Sequence, residues 1–530
     1  MSFDPTSALV TSLVLLGPAT AQVAVPTGTI TASTSTTGDK FGESVAIDGD
    51  VLVVGARAYS QIATTAGTAT IFERQPDGSW LEAVTLLPPT PTLLGFFGDA
   101  VAVEGDTVFV AETADDTFAV DQGAVHVYRR QSNGSWPLVQ VLGPPGPTSF
   151  ASFGDSLSVD SGRLAVGNFG VSSTSPKEVV IFARQQDGTW AVEAEVLPPA
   201  PTAQWFACSV AIVGDWLVVG AADDTGTQTP TAFVYRRRSD GSWPLHSTLH
   251  PLDLTGDQNF GIRVEALEVG GDLLVAVGAT DVAAVDVFEV TAAGGPTHLD
   301  RIVGPPAEVG TFGYSIVLEA QRLIVGDPNH SYGRVYVYER ATPNRWELST
   351  VLDHGKGNPG EIRYFGWDLA KDAETLFVGE PGYGGPLATQ SGEIRTFDSD
   401  SLFQSAGSIS VAAGGSVDLL LAAGSAEAGH LHLVLGSASG RSPGVPLGGG
   451  LVLPLVADAY TSLTLAGGGG LLAGGFGQLD SLGTATATLT LPTASDPALA
   501  GLTVTHAFVT IDAGGAIADV GGPSTIELVP

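Results

Sequence analysis

FGDSLSVD, residues 153–160, is one of seven near-copies of a single phrase. The others are FGESVAID from Phe41, FGDAVAVE from Phe97, FACSVAIV from Phe206, FGIRVEAL from Phe260, FGYSIVLE from Phe312 and FGWDLAKD from Phe365. The intervals run from 52 to 56 residues, and a near-constant period of that length marks one supersecondary unit repeated along the chain. In the first copy SVAI (44–47) alternates and meets Asp48-Gly49, a favoured hairpin dipeptide. VLVVG (51–55) is a continuous apolar run, as a strand covered on both faces requires. GTATIFER (67–74) alternates again, and Asp77-Gly78-Ser79-Trp80 turns the chain into LEAVTLL (81–87). The same turn returns as NGSW (133–136), DGTW (187–190) and DGSW (240–243). It decays to GGPTHL in copy five and to NRW, ending at Trp346, in copy six.

Four antiparallel strands repeated seven times predict an all-β chain built on a seven-bladed β-propeller, in which radial packing buries both faces of each sheet. Copy seven stops after EIRTFD (393–398); GTITAST (28–34) is positioned to supply its fourth strand and fasten the ring. From about residue 403 the Phe-Gly period is gone. One basic residue, Arg441, remains among Gly, Ala and Leu runs with strand-like segments such as HLHLVLG and ATATLTLP. The predicted division is therefore 1–21, a propeller over 22–402, and a C-terminal β-sandwich over 403–530.

The chain has 530 residues, 22 basic and 56 acidic, a net charge of −34. Such an excess repels nucleic acid and anionic lipid. The apolar run ALVTSLVLL (8–16), followed by Ala19-Thr20-Ala21, reads as a secretory signal peptide, so a secreted or cell-surface protein is expected. No other stretch has the roughly 18 apolar residues of a membrane span. The lone Cys208 excludes an intrachain disulfide, and a monomer is expected.

Within 153–160 lies Gly-Asp-Ser-Leu, letters that also mark a hydrolase family with a serine nucleophile. The Ser156 position holds Ser44, Ala100, Ser209, Arg263, Ser315 and Asp368 in the other copies, a tolerance that no nucleophile would show. The Asp-x-x-His partner that such a hydrolase needs is present as Asp327–His330, again at ordinary repeat positions three copies away. Gly440-Arg441-Ser442-Pro443-Gly444 imitates a nucleophile elbow but lacks a helix to enter. His430 and His432 alternate on one strand face without a third ligand placed by sequence. No metal site is expected.

Phe-Gly-x-Ser-Val followed by Val-Val-Gly-Ala and Gly-x-x-x-Val-Phe resembles the FG-GAP repeat of integrin α-chain propellers and their secreted bacterial relatives. Its Gly-Ala-Pro element stands as Gly55-Ala56-Arg57, Gly220-Ala221-Ala222, Gly278-Ala279-Thr280, Gly326-Asp327-Pro328 and Gly379-Glu380-Pro381. The resemblance covers about residues 28–400 and implies recognition of an extracellular partner through the propeller loops. Calcium, which several integrin repeats bind, is not carried over. The connection between the first two strands is only DG, EG, SG, VG or GG, too short for converging carboxylates. DLTGDQN (253–259) has carboxylates at the wrong spacing and place, and no cofactor is expected.

The loops after the second strand read ETADD (112–116), AADD (221–224) and ATD (279–281). They place Asp115, Asp116, Asp223, Asp224 and Asp281 on one expected face, a carboxylate patch for a cation or a basic partner, or solvated turn residues of an acidic protein. Trp80, Trp136, Trp190, Trp243 and Trp346 open the outer strands; packing between blades fits them better than sugar stacking. Trp205, Trp216 and Trp367 fall outside that series and are expected to pack locally. No single copy carries a convergent acid–base set, so the chain is read as a non-catalytic adhesion module for a protein partner. A carbohydrate-binding propeller and an envelope scaffold are the alternatives.

Overall fold

A computed structural model describes residues 22–529 apart from 25–27, 37, 77, 147–148, 171–176, 200–204, 223–229, 253–258, 305–310, 331–332, 354–362, 373–374, 383–390, 399–401, 405–407, 423–428, 440–444, 449–450, 454, 467–469 and 480–483. The expected signal peptide, the turn residue Asp77, Asp253, Asp257 and the 440–444 elbow lie outside the described residues. Two compact units emerge, Gln22–Ser399 and the part from Asp400 onward.

In the first unit copy one folds as Ser44–Asp48, Val51–Ala56, Thr68–Arg74 and Trp80–Leu86, paired antiparallel in that order. Among the described residues six further sheets follow the same plan. In the last of them Gly28–Ile30 is the outer strand, with Gly28 opposite Thr396 and Ile30 opposite Ile394. Gln22–Ala24 adds a parallel strand to Arg345–Asp353 of blade six, which the sequence did not suggest. The first strand of each blade touches the first strand of the next, and that of blade seven touches that of blade one. The fold is a β-propeller with those strands around its axis.

The repeat explains how blades join. Val51, Leu52, Val53 and Val54 are fully buried, since a second strand has a blade on either side. Phe41, Phe97, Phe153, Phe206, Phe260, Phe312 and Phe365 are likewise enclosed. Each lies in an apolar cluster between neighbouring blades, such as Val51, Ile71, Phe97 and Val110 between one and two. Phe41, Val54, Phe377 and Ile394 form the cluster between seven and one. The residue after the phenylalanine turns with positive φ, +86° at Gly98, which explains the glycine. Copy four has alanine there, and Ala207 adopts φ +72° regardless. The second-strand glycine has a different reason. A β-carbon on Gly55 would overlap the Gly98 carbonyl of the next blade, and one on Gly379 would overlap that of Gly42.

Polar groups finish the seams. Ser44, Ser156 and Ser315 donate their hydroxyls to the carbonyls of Gly98, Ala207 and Gly366 in the following blade, at 2.8, 2.9 and 2.7 Å. Ser156 is thus a joint between blades three and four. The acidic residue before the first hairpin acts similarly in blades one to three: Asp48, Glu104 and Asp160 accept from the backbone N–H of Gly105, Gly162 and Gly214. The tryptophans of the outer strands reach back to the preceding blade. Trp136 and Trp243 donate Nε1–H to Glu73 and Glu193, both at 3.1 Å. Trp190 packs edge-on to Phe109, and Trp80 does so to Phe377.

The second unit is a β-sandwich. One sheet holds Leu402–Gln404, Gly415–Ala422, Thr484–Leu491 and Leu472–Ala473; the other holds Ser408–Ser410, Ile517–Val529, Thr503–Ile511, Leu431–Ser437 and Phe476–Gln478. Val417, Leu419 and Leu489 of the first share a core with Val434, Phe508 and Ile526 of the second. His432 is buried, with Nε2 hydrogen-bonded to the Gly474 carbonyl at 3.0 Å. No helix among the described residues is long and apolar enough to cross a membrane.

Candidate functional site

The position after each Phe-Gly reads Glu43, Asp99, Asp155, Cys208, Ile262, Tyr314 and Trp367 (Phe-Ala in copy four). In any one copy it is a single side chain. The ring of first strands brings these positions together around the axis, where they join Arg57, Arg263, Glu265 and Asp368.

Arg57 of blade one reaches Glu43 with Nε at 3.0 Å and Asp99 of blade two with Nη1 at 3.0 Å. Thr113 donates to the other Asp99 oxygen at 2.9 Å. On the far side Arg263 of blade five reaches Asp368 of blade seven, Nη2 to Oδ1 at 2.9 Å, passing blade six. The second Asp368 oxygen accepts from the N–H of Val45 in blade one. Tyr314 and Trp367 meet at 4.8 Å between centroids, their planes inclined at 54°. Both rings are half-buried, and the Arg57 and Arg263 side chains keep about a third of their surface exposed, so solvent reaches the set.

These groups differ in charge state. Enclosure, with the negative field of Asp99 only partly offset by Arg57, pushes Asp155 up to about 8. Enclosure likewise takes Glu265 up to about 7, with Arg263 and Asp368 acting in opposite directions. Burial raises Glu43 and Asp368 above the usual carboxylate range although arginines face both. Burial also pushes the Cys208 thiol up to about 12, which leaves it inert as a nucleophile. The axis therefore combines protonated carboxyl groups that can donate, carboxylates that accept, two guanidinium groups and an aromatic pair. Titratable groups driven apart in this way by their surroundings are characteristic of functional sites.

The carboxylates expected on the loop face have different fates. Asp115 is buried and turned toward His126, Oδ2 to Nε2 at 3.5 Å. Burial works against its charge, yet the facing His126 imidazole and hydrogen bonding from Thr117 hold it below its ordinary range. Asp116 is exposed and accepts from the Asp121 N–H at 2.8 Å. Asp281 is exposed and accepts from Asn259 at 2.7 Å. Asp223 and Asp224 lie outside the described residues. No hydrogen bond or ion pair among the described residues joins Asp281 to Asp115 or Asp116. Asp327 and His330 face each other at 3.7 Å in blade six, away from Ser156 in blade three. Glu43, Asp99, Asp155, Tyr314 and Trp367 were legible only as the variable letter after Phe-Gly, and Arg263 and Asp368 only as departures from serine at the next position.

A family model described as FG-GAP repeat matches residues 26–72. Among solved structures the chain is similar to the periplasmic gluconolactonase PpgL of Pseudomonas aeruginosa, at 18% identity over 59% of this chain and 84% of that one, TM-score 0.41. It is similar to the complex of KlAtg21 with the coiled coil of AgAtg16, at 12% identity over 56% and 81%, TM-score 0.39. It is also similar to a hypothetical selenium-binding protein from Sulfolobus tokodaii, at 9% identity over 58% and 76%, TM-score 0.40. No curated protein matches the chain. The non-enzyme reading is corrected here. The solved structure of PpgL, to which this chain is similar, is that of a gluconolactonase. The premise behind that reading also fails: a convergent set need not sit in one copy when the ring pools residues from several. The chain is thus a β-propeller whose first copy matches the FG-GAP repeat and whose phenylalanine, turn and inter-blade contacts recur around the ring.

Proposed function

We propose that the propeller recognises a small polyhydroxylated, saccharide-like ligand at its axis. The observation that carries this reading is the Arg263–Asp368 pair set beside the tilted Tyr314–Trp367 ring pair. Planar aromatic faces offer an apolar platform to a sugar ring, and carboxyl and guanidinium groups supply donors and acceptors for its hydroxyls. Asp155, holding its proton to about 8, adds a donor that an ordinary aspartate lacks at neutral pH. Recognition of a protein partner by the loop carboxylates is less well supported, because Asp115 is withdrawn into its blade. An extracellular or envelope setting suits such a ligand.

The test is saturation-transfer NMR and calorimetry of the full chain against neutral and acidic mono- and disaccharides, with Trp367→Ala and Asp368→Asn as variants. Binding that weakens at least tenfold in both variants supports the axial site. Binding unchanged in both, or no binding to any sugar, overturns it. The same samples, followed for product, reveal whether a bound sugar derivative is also turned over.

A further inference from the structure

Blade two holds a second cluster, apart from the axial set. Glu112 ends the second strand Thr107–Glu112, Asp115 lies in the loop after it, and His126 stands on the third strand Ala124–Arg129. Their ligand atoms lie within 4.8 Å of one another, and all three side chains are buried. Glu112 and His126 each retain only 1% of their surface. His126 Nε2 is 3.1 Å from Glu112 Oε2 and 3.5 Å from Asp115 Oδ2. Neither Glu112 oxygen and neither His126 nitrogen completes a hydrogen bond of good geometry.

We propose that Glu112, Asp115 and His126 form a site for one divalent transition-metal ion of the zinc class. Donors about 2.0–2.2 Å from a tetrahedral zinc lie roughly 3.4 Å from one another, and the two nitrogen-to-oxygen separations, 3.1 and 3.5 Å, bracket that edge. One imidazole with two carboxylates is a donor set of intermediate softness, suited to zinc or cobalt rather than calcium, which prefers six to eight oxygens. The cradle is shaped for it. Asp115 spends Oδ1 on the Thr117 N–H, which fixes the carboxylate and leaves Oδ2 facing His126. The His126 ring is held against Phe97 at 5.3 Å. Glycine at 95 leaves Glu112 its room, since a β-carbon there would stand 2.6 Å from Oε1.

Comparison within the ring sharpens the point. Blade seven also has a buried glutamate at the end of its second strand, but Glu380 is met by the guanidinium groups of Arg363 and Arg395 at 3.0 and 3.4 Å. Blade three puts Asn168 there, hydrogen-bonded to Glu178. Blade two sets a second carboxylate where a cation would be expected, with only an imidazole between. Two buried acids and a histidine are well satisfied by a dication, and a water can complete the fourth position.

The experiment uses the full chain stripped with chelator and then titrated with Zn2+ and, separately, Co2+. Expected are one zinc per chain surviving gel filtration, a cobalt absorption spectrum of four-coordinate type, and a Tm that rises with zinc. The near-isosteric Glu112→Gln and Asp115→Asn should each weaken uptake by at least about tenfold, as should His126→Gln. Wild-type protein that shows neither uptake nor a cobalt spectrum overturns the proposal, the three side chains then sharing only a proton. Equal zinc uptake by wild type, Glu112→Gln and Asp115→Asn overturns it as well, by placing the metal elsewhere.

Discussion

Arg263 of blade five and Asp368 of blade seven meet at 2.9 Å although a whole blade separates them in the ring. Only the innermost strands come close enough for such a contact. The pair therefore ties non-adjacent blades at the axis, while the Val45 N–H holds the same carboxylate from blade one.

Removing that carboxylate leaves a partly exposed guanidinium without the carboxylate that faces it. Asp368→Asn is expected to lower the unfolding free energy by about 1.5 kcal/mol, the low end of the range for hydrogen bonds to charged groups because solvent reaches the pair. Urea denaturation with an unchanged m-value checks it. Pairing the change with Arg263→Met should recover part of the loss, because no charge is then stranded.

Asp155 makes stability depend on pH. Its folded pKa is raised to about 8 by enclosure and by Asp99, against about 3.9 in the unfolded chain. The contribution is therefore fully present below pH 4 and is lost as pH rises to 8, because the unfolded chain releases the proton first. Tm measured from pH 4 to 9 should show a fall that Asp155→Asn flattens, with the variant the more stable of the two at pH 8. A variant profile parallel to wild type would remove Asp155 as the cause.

Backbone conformation predicts a change of opposite sign in copy four. Ala207 sits at φ +72° where six other copies use glycine. A left-handed conformation costs an L-residue about 1–2 kcal/mol, and glycine gives back about 0.5–1 kcal/mol in chain entropy. Ala207→Gly should thus stabilise modestly. Gly55→Ala should instead destabilise by about 3 kcal/mol or more, since its new β-carbon meets the Gly98 carbonyl and no side chain can give way. Thermal melts of both variants settle the pair of signs.

Ser156 gives a chemical prediction. Its hydroxyl is committed to the Ala207 carbonyl, so Ser156→Ala should cost about 1 kcal/mol of stability. A fluorophosphonate should not label it. Labelling of Ser156 in the wild type would restore the nucleophile reading.

The sequence by itself determined the period, the strand pattern and the uses of most repeat positions. Alternation, a continuous apolar run and a Gly-containing turn are local signals, read within about ten residues and repeated often enough to be unambiguous. The repeat also disposed of Ser156, because a position that accepts Ala, Arg and Asp cannot be a nucleophile. Placement of the tryptophans between blades followed from their position at the start of outer strands.

The tertiary structure alone decided which side chains meet. Glu43, Asp99, Asp155, Tyr314 and Asp368 are dispersed over more than three hundred residues, one to a copy or nearly so, and none stands out within its copy. They form a set only because the ring closes and points equivalent positions at one axis. Asp115 was noticed as a loop acid, but its burial and its partner could not be read. His126 lies on an ordinary alternating strand, and its approach to Asp115 depends on how the loop between them folds back. Local chemistry fixes strands and turns; distances between residues of different strands and blades are set by packing, and the site consists of those distances.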